Sequence, residues 1–463
     1  MKRRWKILLG LSLVLGVCVV AAMWLYREGP GWNQSITLAD GSVLRFRGVT
    51  VGTNHVQGSG LGRLVRRLPQ SLQDSVARIA GGRLRVHSRR TMETNLLVWV
   101  EAAVPAGRAN TRRESMITTA GGPVAGHGAH LALWMPTVWM PTGGTIMVAA
   151  EFPAWPRRAR DLELVLVEWT RTGERQEAGR FRFPNPEVTD APVWHAEPLP
   201  AMDSDGDIQV TLEAFVSGVG RMTSQGTRGD AARRVRKYRE TQSDETPGAF
   251  VAFRVNSTDG EKRSWKVAKA WLSDATGNHL KATRWSGGED GTLEFHPVLW
   301  PEEESWKLTM DLKRTGGFAA DELLVFTNLD LPAMDETHNF DLTNTVQGLK
   351  TVLRSFVRKP DMTNNSWSSD DLSSVQFEHD YLDERTVVDL ISVTPADGGE
   401  EIETGGAVWS DNWLQSSFQT LPKDVTALNL TYVIQKTRRV EFLVDPNWIE
   451  GTNQFEIELE VTQ

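Results

Sequence analysis

Hydrophobic and polar residues alternate along most of this chain, which is typical of β-strands with one buried face. The alternation is clearest in three stretches. These are Leu162, Leu164 and Leu166; Trp306, Leu308, Met310 and Leu312; and Leu428, Leu430 and Tyr432. Prolines and short polar turns bound them. The pattern predicts an all-β chain of immunoglobulin-like or fibronectin-like β-sandwich modules, with about six to eight short strands in each.

One aromatic and proline pattern occurs more than once. EFPAWP at Glu151 to Pro156 returns as EFHPVLWP at Glu294 to Pro301, and SFQTLP at Ser417 to Pro422 is a weaker third copy. A second pair, Ile208 to Val216 and Leu349 to Val357, keeps the same order at a domain-sized spacing. Because several ordered landmarks agree, we interpret them as a tandem repeat of one β module, although sandwich strands also resemble one another by chance.

The repeat predicts where the modules begin and end. We place module one at residues 30–190, module two at 191–332 and module three at 333–463. The first join holds five prolines between Phe183 and Pro200. Proline-rich joins are stiff and extended, so neighbouring modules should be held apart by spacers rather than by floppy tethers.

Two segments interrupt the strand pattern. Leu61 to Ala80 has apolar residues at helical spacing and is followed by Gly81, so a short helix near 61–80 is predicted as an insertion in module one. It would pack on module one or lie on anionic lipid. Residues 221–247 are polar and basic and predict a mobile loop in module two, either solvated or in contact with a phosphate-rich partner.

The N-terminus, residues 1–29, predicts a membrane anchor. Lys2, Arg3, Arg4 and Lys6 precede an uncharged run from Ile7 to Tyr26. About twenty residues of helix reach the roughly 30 Å of a bilayer core. The positive cluster should stay in the cytoplasm, which makes this a single-pass protein whose bulk is extracytoplasmic, or periplasmic. The alternative is a cleaved signal peptide, and both interpretations export the chain.

Composition narrows the classes of partner. The formal net charge of −8 offers no general basic surface to nucleic acid. The single cysteine, Cys18, lies in the predicted anchor, so the exported part relies on packing without disulfides. The chain has 18 tryptophans, which suit sandwich cores and sugar-binding platforms alike. Five lie in polar or glycine-containing stretches and are candidate glycan contacts: Trp134, Trp139, Trp285, Trp409 and Trp413.

Candidate metal and catalytic chemistry is sparse. Asp203, Asp205 and Asp207 alternate as calcium-loop carboxylates do, but the later ligands of such a loop are missing, and an Asp-Gly turn entering a strand explains them more simply. The sequence contains no metalloprotease, phosphate-loop or nucleophile-elbow pattern. We therefore predict no cofactor and no catalytic residues, and we favour a non-enzymatic role over an unrecognised hydrolase.

The stretch ITLADGSVLRFRGVTVGTNH, Ile36 to His55, resembles the opening of a family of uncharacterised bacterial envelope proteins with an N-terminal anchor. The matching elements are the Asp40-Gly41 turn and the run from Gly52 to His55. The resemblance implies an envelope location but no known activity, so it assigns no functional residue. Within it, His55 is expected at a strand end with a hydrogen bond to the backbone.

These observations predict a membrane-anchored extracytoplasmic protein that presents tandem β-sandwich modules to another envelope component. The expected partners are the cytoplasmic membrane and either an envelope protein or a glycan. The alternatives are carbohydrate binding through exposed tryptophans and hydrolysis at a cleft holding two acidic residues.

Overall fold

The computed structural model describes residues 34–57, 87–105, 113–119, 130–131, 144–169, 175–225, 233–240, 248–257, 264–286, 290–296, 298–300, 302–359, 372–380, 382–410, 412–418, 421–422, 424–446 and 455–460. These residues form antiparallel strands and a single 3-10 turn, Ala320–Glu322, which confirms the all-β prediction. The predicted anchor, Ile7 to Tyr26, and the predicted helix near 61–80 lie outside the described residues. No helix in the described ranges is long and apolar enough to cross a membrane.

The first unit consists of two four-stranded sheets around one core. Its strands are β1 Ser35–Thr37, β2 Val43–Gln57, β3 His87–Val104, β4 Arg113–Thr119, β5 His130–Leu131, β6 Gly144–Phe152, β7 Asp161–Trp169 and β8 Arg175–Pro184. The sheet orders are β1-β2-β3-β6 and β5-β4-β7-β8. Alternate residues of both sheets meet inside, among them Phe46, Val98, Leu164 and Phe181.

The second unit begins with nine strands. They are β9 Ala201–Asp205, β10 Ile208–Gln225, β11 Arg233–Glu240, β12 Gly248–Ser257, β13 Trp265–Asp274, β14 His279–Lys281, β15 Arg284–Ser286, β16 Asp290–Phe295 and β17 Trp306–Arg314. Its core contains Leu212 of β10, Phe253 of β12 and Leu308 of β17.

The third unit follows and has a separate core. Its strands are β18 Leu323–Asp330, β19 Thr337–Val346, β20 Leu349–Val357, β21 Ser373–His379, β22 Thr386–Pro395, β23 Thr404–Ser410, β24 Trp413–Phe418 and β25 Ala427–Lys436. They form the sheets β18-β25-β22 and β19-β20-β21-β24-β23. The buried side chains between these sheets include Phe326, Phe377 and Tyr432.

The chain then returns to the second unit. Strand β26, Arg438–Val444, pairs with β17, and β27, Phe455–Glu460, pairs with β11. The second unit's sheets are therefore β14-β13-β17-β26 and β15-β16-β12-β10-β11-β27, and β9 also pairs with β10 in the latter. Val440, Phe442 and Val444 belong to its core. This corrects the boundary predicted for module three, 333–463, because the third unit is inserted between two parts of the second.

The structure also corrects the loop predicted at residues 221–247. Residues 221–225 continue β10, and residues 233–240 form β11. The backbone register places Arg233 opposite Glu460 and Lys237 opposite Glu456. A basic stretch and an acidic stretch more than 200 residues apart in sequence are thus neighbouring strands, and opposite charges across strands favour pairing.

The repeated aromatic and proline segments bury equivalent residues. The first copy buries Phe152 and Trp155, and the second buries Phe295 and Trp300. In the weaker third copy, Phe418 and Leu421 are buried. The buried residues of each segment thus hold the loop after strand β6, β16 or β24 against the adjacent core. This shared task explains why the same residue types recur.

Candidate functional site

The first and second units share the segment that carries the repeated motif. Ala154 is fully buried in the core of the second unit, whereas its neighbour Trp155 is fully buried in the core of the first. Successive residues of an extended chain point in opposite directions, so one short segment contributes to both cores. Ala154 and Trp155 therefore connect the two cores directly through adjacent residues of one segment.

Asn278 fastens this segment from the second unit. Its Oδ1 accepts hydrogen bonds from the Trp155 backbone N–H at 3.2 Å and from Arg157 Nε at 3.2 Å. Its Nδ2 donates to the Trp155 carbonyl at 2.8 Å and to Asp274 Oδ2 at 2.7 Å. A carboxamide can make two donor and two acceptor bonds, so the buried Asn278 side chain is fully satisfied.

A tight turn between β13 and β14 positions Asn278. Asp274 Oδ1 accepts hydrogen bonds from the backbone N–H of Thr276 at 2.9 Å and of Asn278 at 3.0 Å, and from the Thr276 hydroxyl at 2.7 Å. Gly277 has a positive φ of 94°, which favours glycine there. Aspartate commonly organises turns in this way, so the sequence DATGN determines where the amide points.

An ion pair joins equivalent positions of two repeat copies. Arg158 is the second residue after Pro156, and Glu303 is the second after Pro301. The Arg158 Nε and terminal nitrogen lie 2.8 and 3.1 Å from the two Glu303 carboxylate oxygens. Two parallel hydrogen bonds between a guanidinium and a carboxylate are strong and directional. The first and second copies thus carry complementary charges at the same place.

A second carboxamide joins the second and third units. Gln435, at the end of β25, accepts a hydrogen bond from the Arg314 N–H at 3.0 Å and donates to the Arg314 carbonyl at 3.1 Å. Gln435 is buried. Two residues later, the Thr437 N–H donates to the Arg385 carbonyl at 2.8 Å. Hydrogen bonds therefore hold the chain at Gln435 and Thr437, where it passes from the third unit to the second.

The three candidate calcium ligands lie beside the edge strand β26. Asp203 accepts the Glu441 N–H at 2.9 Å, Asp205 accepts the Arg439 N–H at 2.8 Å and a guanidinium nitrogen of Arg385, and Asp207 accepts Arg438 Nε at 2.8 Å. Cations and backbone N–H groups of the protein thus occupy oxygens that a calcium ion would need. Within the described residues, no group of three or more His, Cys, Asp or Glu side chains could hold a metal ion.

Asp205 is held ionised by this arrangement. Burial opposes ionisation, but the Arg439 N–H and the Arg385 guanidinium outweigh it and keep the pKa of Asp205 below its usual value. Next to it, Arg439 makes two bonds to the fully buried carboxylate of Asp311, at 2.8 and 3.1 Å. Because Arg385 belongs to the third unit and Asp205 to the second, the charged cluster also spans the two.

The candidate sugar-binding tryptophans do not come together in the described structure. Trp134 and Trp139 lie outside it, as does the side chain of Trp409. Trp413 is half-buried in β24. Trp285 is 48% exposed and lies in β15 directly opposite the buried Leu293. Opposed residues share a face of the sheet, so Trp285 covers the edge of the second core and leaves half its surface open.

His55 lies near the end of strand β2, two residues before its last residue, Gln57. Its imidazole is fully buried, with Nδ1 2.9 Å from the Thr50 hydroxyl and Nε2 3.4 Å from the Thr91 hydroxyl. The Trp99 indole N–H donates to the same Thr50 hydroxyl at 2.9 Å. Burial lowers the pKa of His55, while carbonyls and the Glu151 carboxylate oppose the shift. The imidazole also bonds the backbone of Gly52 and Thr50, so the expected backbone contact is present within a small buried network of side chains.

Sequence analysis did not identify the fastening amides. Asn278 and Gln435 are single polar residues in loops or strand ends, and no spacing rule distinguishes them from other polar residues. The one available signal for Asn278 was the Asp-x-Thr-Gly-Asn turn. No protein-family model matches the chain, and no curated protein matches it significantly.

Proposed function

We propose that this is an extracytoplasmic structural or binding protein that presents its β units, in a fixed mutual arrangement, to another component of a cell envelope. In this proposal the units are immunoglobulin-like or fibronectin-like sandwiches. The uncharged run from Ile7 to Tyr26 anchors them in the cytoplasmic membrane, with the bulk of the chain in the periplasm. The partner is an envelope protein or a glycan.

One observation carries this proposal: a buried amide with all four hydrogen bonds satisfied joins the first and second units. Units that merely share a chain need no such contact, because a tether of polar residues connects them without ordering. Burying a polar side chain between units is favourable only when its partners are fixed. The contact therefore favours a molecule whose function depends on the relative position of its units.

Spin-label distances test the fixed arrangement. We would change Cys18 to Ala, place cysteines at the exposed positions Thr145 and Asn256, and record the distance distribution by pulsed electron paramagnetic resonance on the full chain. A narrow distribution that broadens with Asn278→Ala is expected. A broad distribution in the chain that retains Asn278 would contradict the proposal.

Location needs its own experiment. Proteolysis of intact spheroplasts should digest epitopes in the β units while residues 1–6 stay protected, and alkaline carbonate should leave the protein in the membrane pellet. Protection of the β units, or release into the supernatant, would count against the anchored extracytoplasmic arrangement.

Carbohydrate binding is a second candidate, favoured by the half-exposed indole of Trp285 on the edge strand β15. An exposed aromatic face suits stacking against a sugar ring. Quenching of tryptophan fluorescence by envelope glycan fragments, lost in Trp285→Ala but retained in Trp413→Ala, would support it. Equal quenching in both variants would exclude Trp285 as the contact.

A further inference from the structure

The linker between the first and second units, residues 186–200, exposes apolar side chains. Val188 is 50% exposed, Val193 45% and Leu199 40%, and Met202 just after the linker is 66% exposed. These are four of the eight large apolar side chains that are exposed in the described part of the chain. Exposed apolar residues concentrated in one segment mark interaction surfaces more often than scattered ones do.

The linker is held in place despite its exposure. The Thr189 N–H donates to the Arg157 carbonyl at 3.1 Å, and Arg158 donates to the Ala191 carbonyl at 2.7 Å. Further on, the Glu197 N–H donates to the Leu443 carbonyl at 2.8 Å. A partner would therefore meet an ordered segment, and binding would not incur the full entropy cost of ordering a free chain.

Its prolines restrict how a partner can bind it. Pro186, Pro192, Pro198 and Pro200 have no N–H group, so the segment cannot act as a continuous strand for sheet addition. Extended, proline-bearing segments are recognised instead by their side chains, which enter an apolar or aromatic groove on the partner. Val188, Val193 and Leu199 are the side chains available for such a groove.

Acidic residues surround these apolar positions. Glu187, Asp190 and Glu197 lie in the linker, and residues 186–200 contain neither lysine nor arginine. Arg157 lies 3.2 Å from Glu187 and the Lys307 ammonium lies 5.2 Å from the centre of the Trp194 ring, so the acidic excess comes from Asp190, Glu197 and nearby glutamates of the second unit. Glu304 of the second unit is exposed and lies 3.3 Å from His195, which places it beside the linker, and the exposed Glu302 is two residues before it in the chain. Complementary charge steers association and like charge opposes it. A basic partner is thus favoured over an anionic lipid surface or the linker of a second copy.

We propose that residues 186–202 are a docking surface for another envelope protein that has an apolar groove rimmed by lysine or arginine. This rests on the binding function proposed above and names its partner class. The apolar side chains would enter the groove, and the acidic rim would set its orientation and its rate of association.

The test combines position-specific capture with charge reversal. A photo-crosslinking phenylalanine derivative replaces Val193 in the full chain in native cells, and a matched variant carries it at Val325, which is similarly exposed but lies in β18 of the third unit. One protein captured at position 193 but not at 325 is expected. Its purified form should bind the Glu302→Lys/Glu304→Lys variant roughly tenfold or more weakly than the unchanged chain, and the difference should shrink at high salt.

Each other outcome would overturn the proposal that residues 186–202 form this docking surface. A crosslinked product of twice the chain's mass would identify a second copy, and crosslinks to lipid would identify the membrane. If the captured protein bound the charge-reversed variant as tightly as the unchanged chain, the proposed basic rim of its groove would be refuted. Capture only at position 325 would move the binding site and leave the binding function standing, whereas no capture at either position would count against both proposals.

Discussion

Single carboxamides bond both backbone groups of one distant residue at three places in the described part of the chain. Asn278 pairs with the N–H and carbonyl of Trp155, Gln435 with those of Arg314, and Gln34 with those of Arg182. A carboxamide presents an acceptor oxygen and a donor N–H on the same side, so it can bond both the N–H and the carbonyl of one residue. It thus satisfies backbone groups that no strand pairs: Trp155 lies after β6, Arg314 ends β17, and Arg182 lies in the edge strand β8.

Replacing Asn278 with alanine should destabilise the contact between the first and second units by about 2–4 kcal/mol, because it leaves the Trp155 N–H, the Trp155 carbonyl and Asp274 Oδ2 short of partners. Urea unfolding would measure this loss of stability, and hydrogen exchange of residues 151–159 would locate it. Asn256→Ala, at an exposed site of β12, is the matched control and should change stability by less than about 0.5 kcal/mol. Equal effects of the two variants would refute the role of Asn278.

His55 should make the first unit sensitive to acid. Its native pKa is lowered by burial, so the unfolded state binds the proton more readily. Stability from the neutral imidazole is therefore present above the unfolded pKa of about 6.5 and is lost as pH falls below that value. Exchange protection of β2 and β3 should decrease from pH 7 to pH 5, and the decrease should be smaller in His55→Gln. An equal decrease in both would assign the acid sensitivity to other groups.

At the scale of elements, alternation in the sequence identified strands such as β7, β17 and β25 but could not say which strands pair. Strand β11 was predicted as part of a loop because Arg233 to Arg239 are nearly all charged. Its partner β27 lies more than 200 residues away and is acidic at alternate positions. On its other side β11 pairs with the preceding strand β10. Because β11 has few apolar residues, it shows no hydrophobic alternation that would identify it as a strand, so periodicity alone fails there.

The Arg158–Glu303 ion pair should stabilise the contact between the first two units through its opposite charges. Glu303 is buried and Arg158 is about one-third exposed, so Arg158→Glu should cost about 1–3 kcal/mol by placing two carboxylates together. The exchanged pair, Arg158→Glu with Glu303→Arg, should recover part of that loss, although the bond to Ala191 goes with Arg158. A double-mutant cycle from urea unfolding gives the coupling energy.

The surface pair Arg182–Asp161 is the control for that cycle, since both side chains are largely exposed. Arg182→Glu should change stability by less than about 1 kcal/mol. A coupling energy near zero for Arg158 and Glu303, or no recovery in the exchanged pair, would show that their contact is incidental to the fold.

At the scale of the whole molecule, the sequence indicated repeated β units and their order but not the connectivity between them. The repeat landmarks correctly fall on buried aromatic residues such as Trp155 and Trp300. The predicted bounds of module three, 333–463, include strand β26, which follows β25 with only Thr437 between them. Its alternation, with Val440, Phe442 and Val444 buried, suits either core equally well, so only three-dimensional pairing assigns it to the second unit.

Truncation after Lys436 separates the two arrangements. If residues 333–463 formed one module, the truncated chain would lose protection in the third unit and keep it in the second. The observed pairing predicts the reverse. Loss of β26 removes Val440, Phe442 and Val444 from the second core and frees the edge of β17, while the third unit keeps all eight of its strands, β18 to β25. Removing three buried side chains at about 1.5–3 kcal/mol each is a loss comparable with the roughly 5–15 kcal/mol by which a domain is stable. Hydrogen exchange should therefore rise in β13 and β17 and change little in β20, β21 and β24.

Truncation after Pro446, which retains β26, is the control and should preserve the protection of β13 and β17. The opposite pattern would support the simple tandem order of modules.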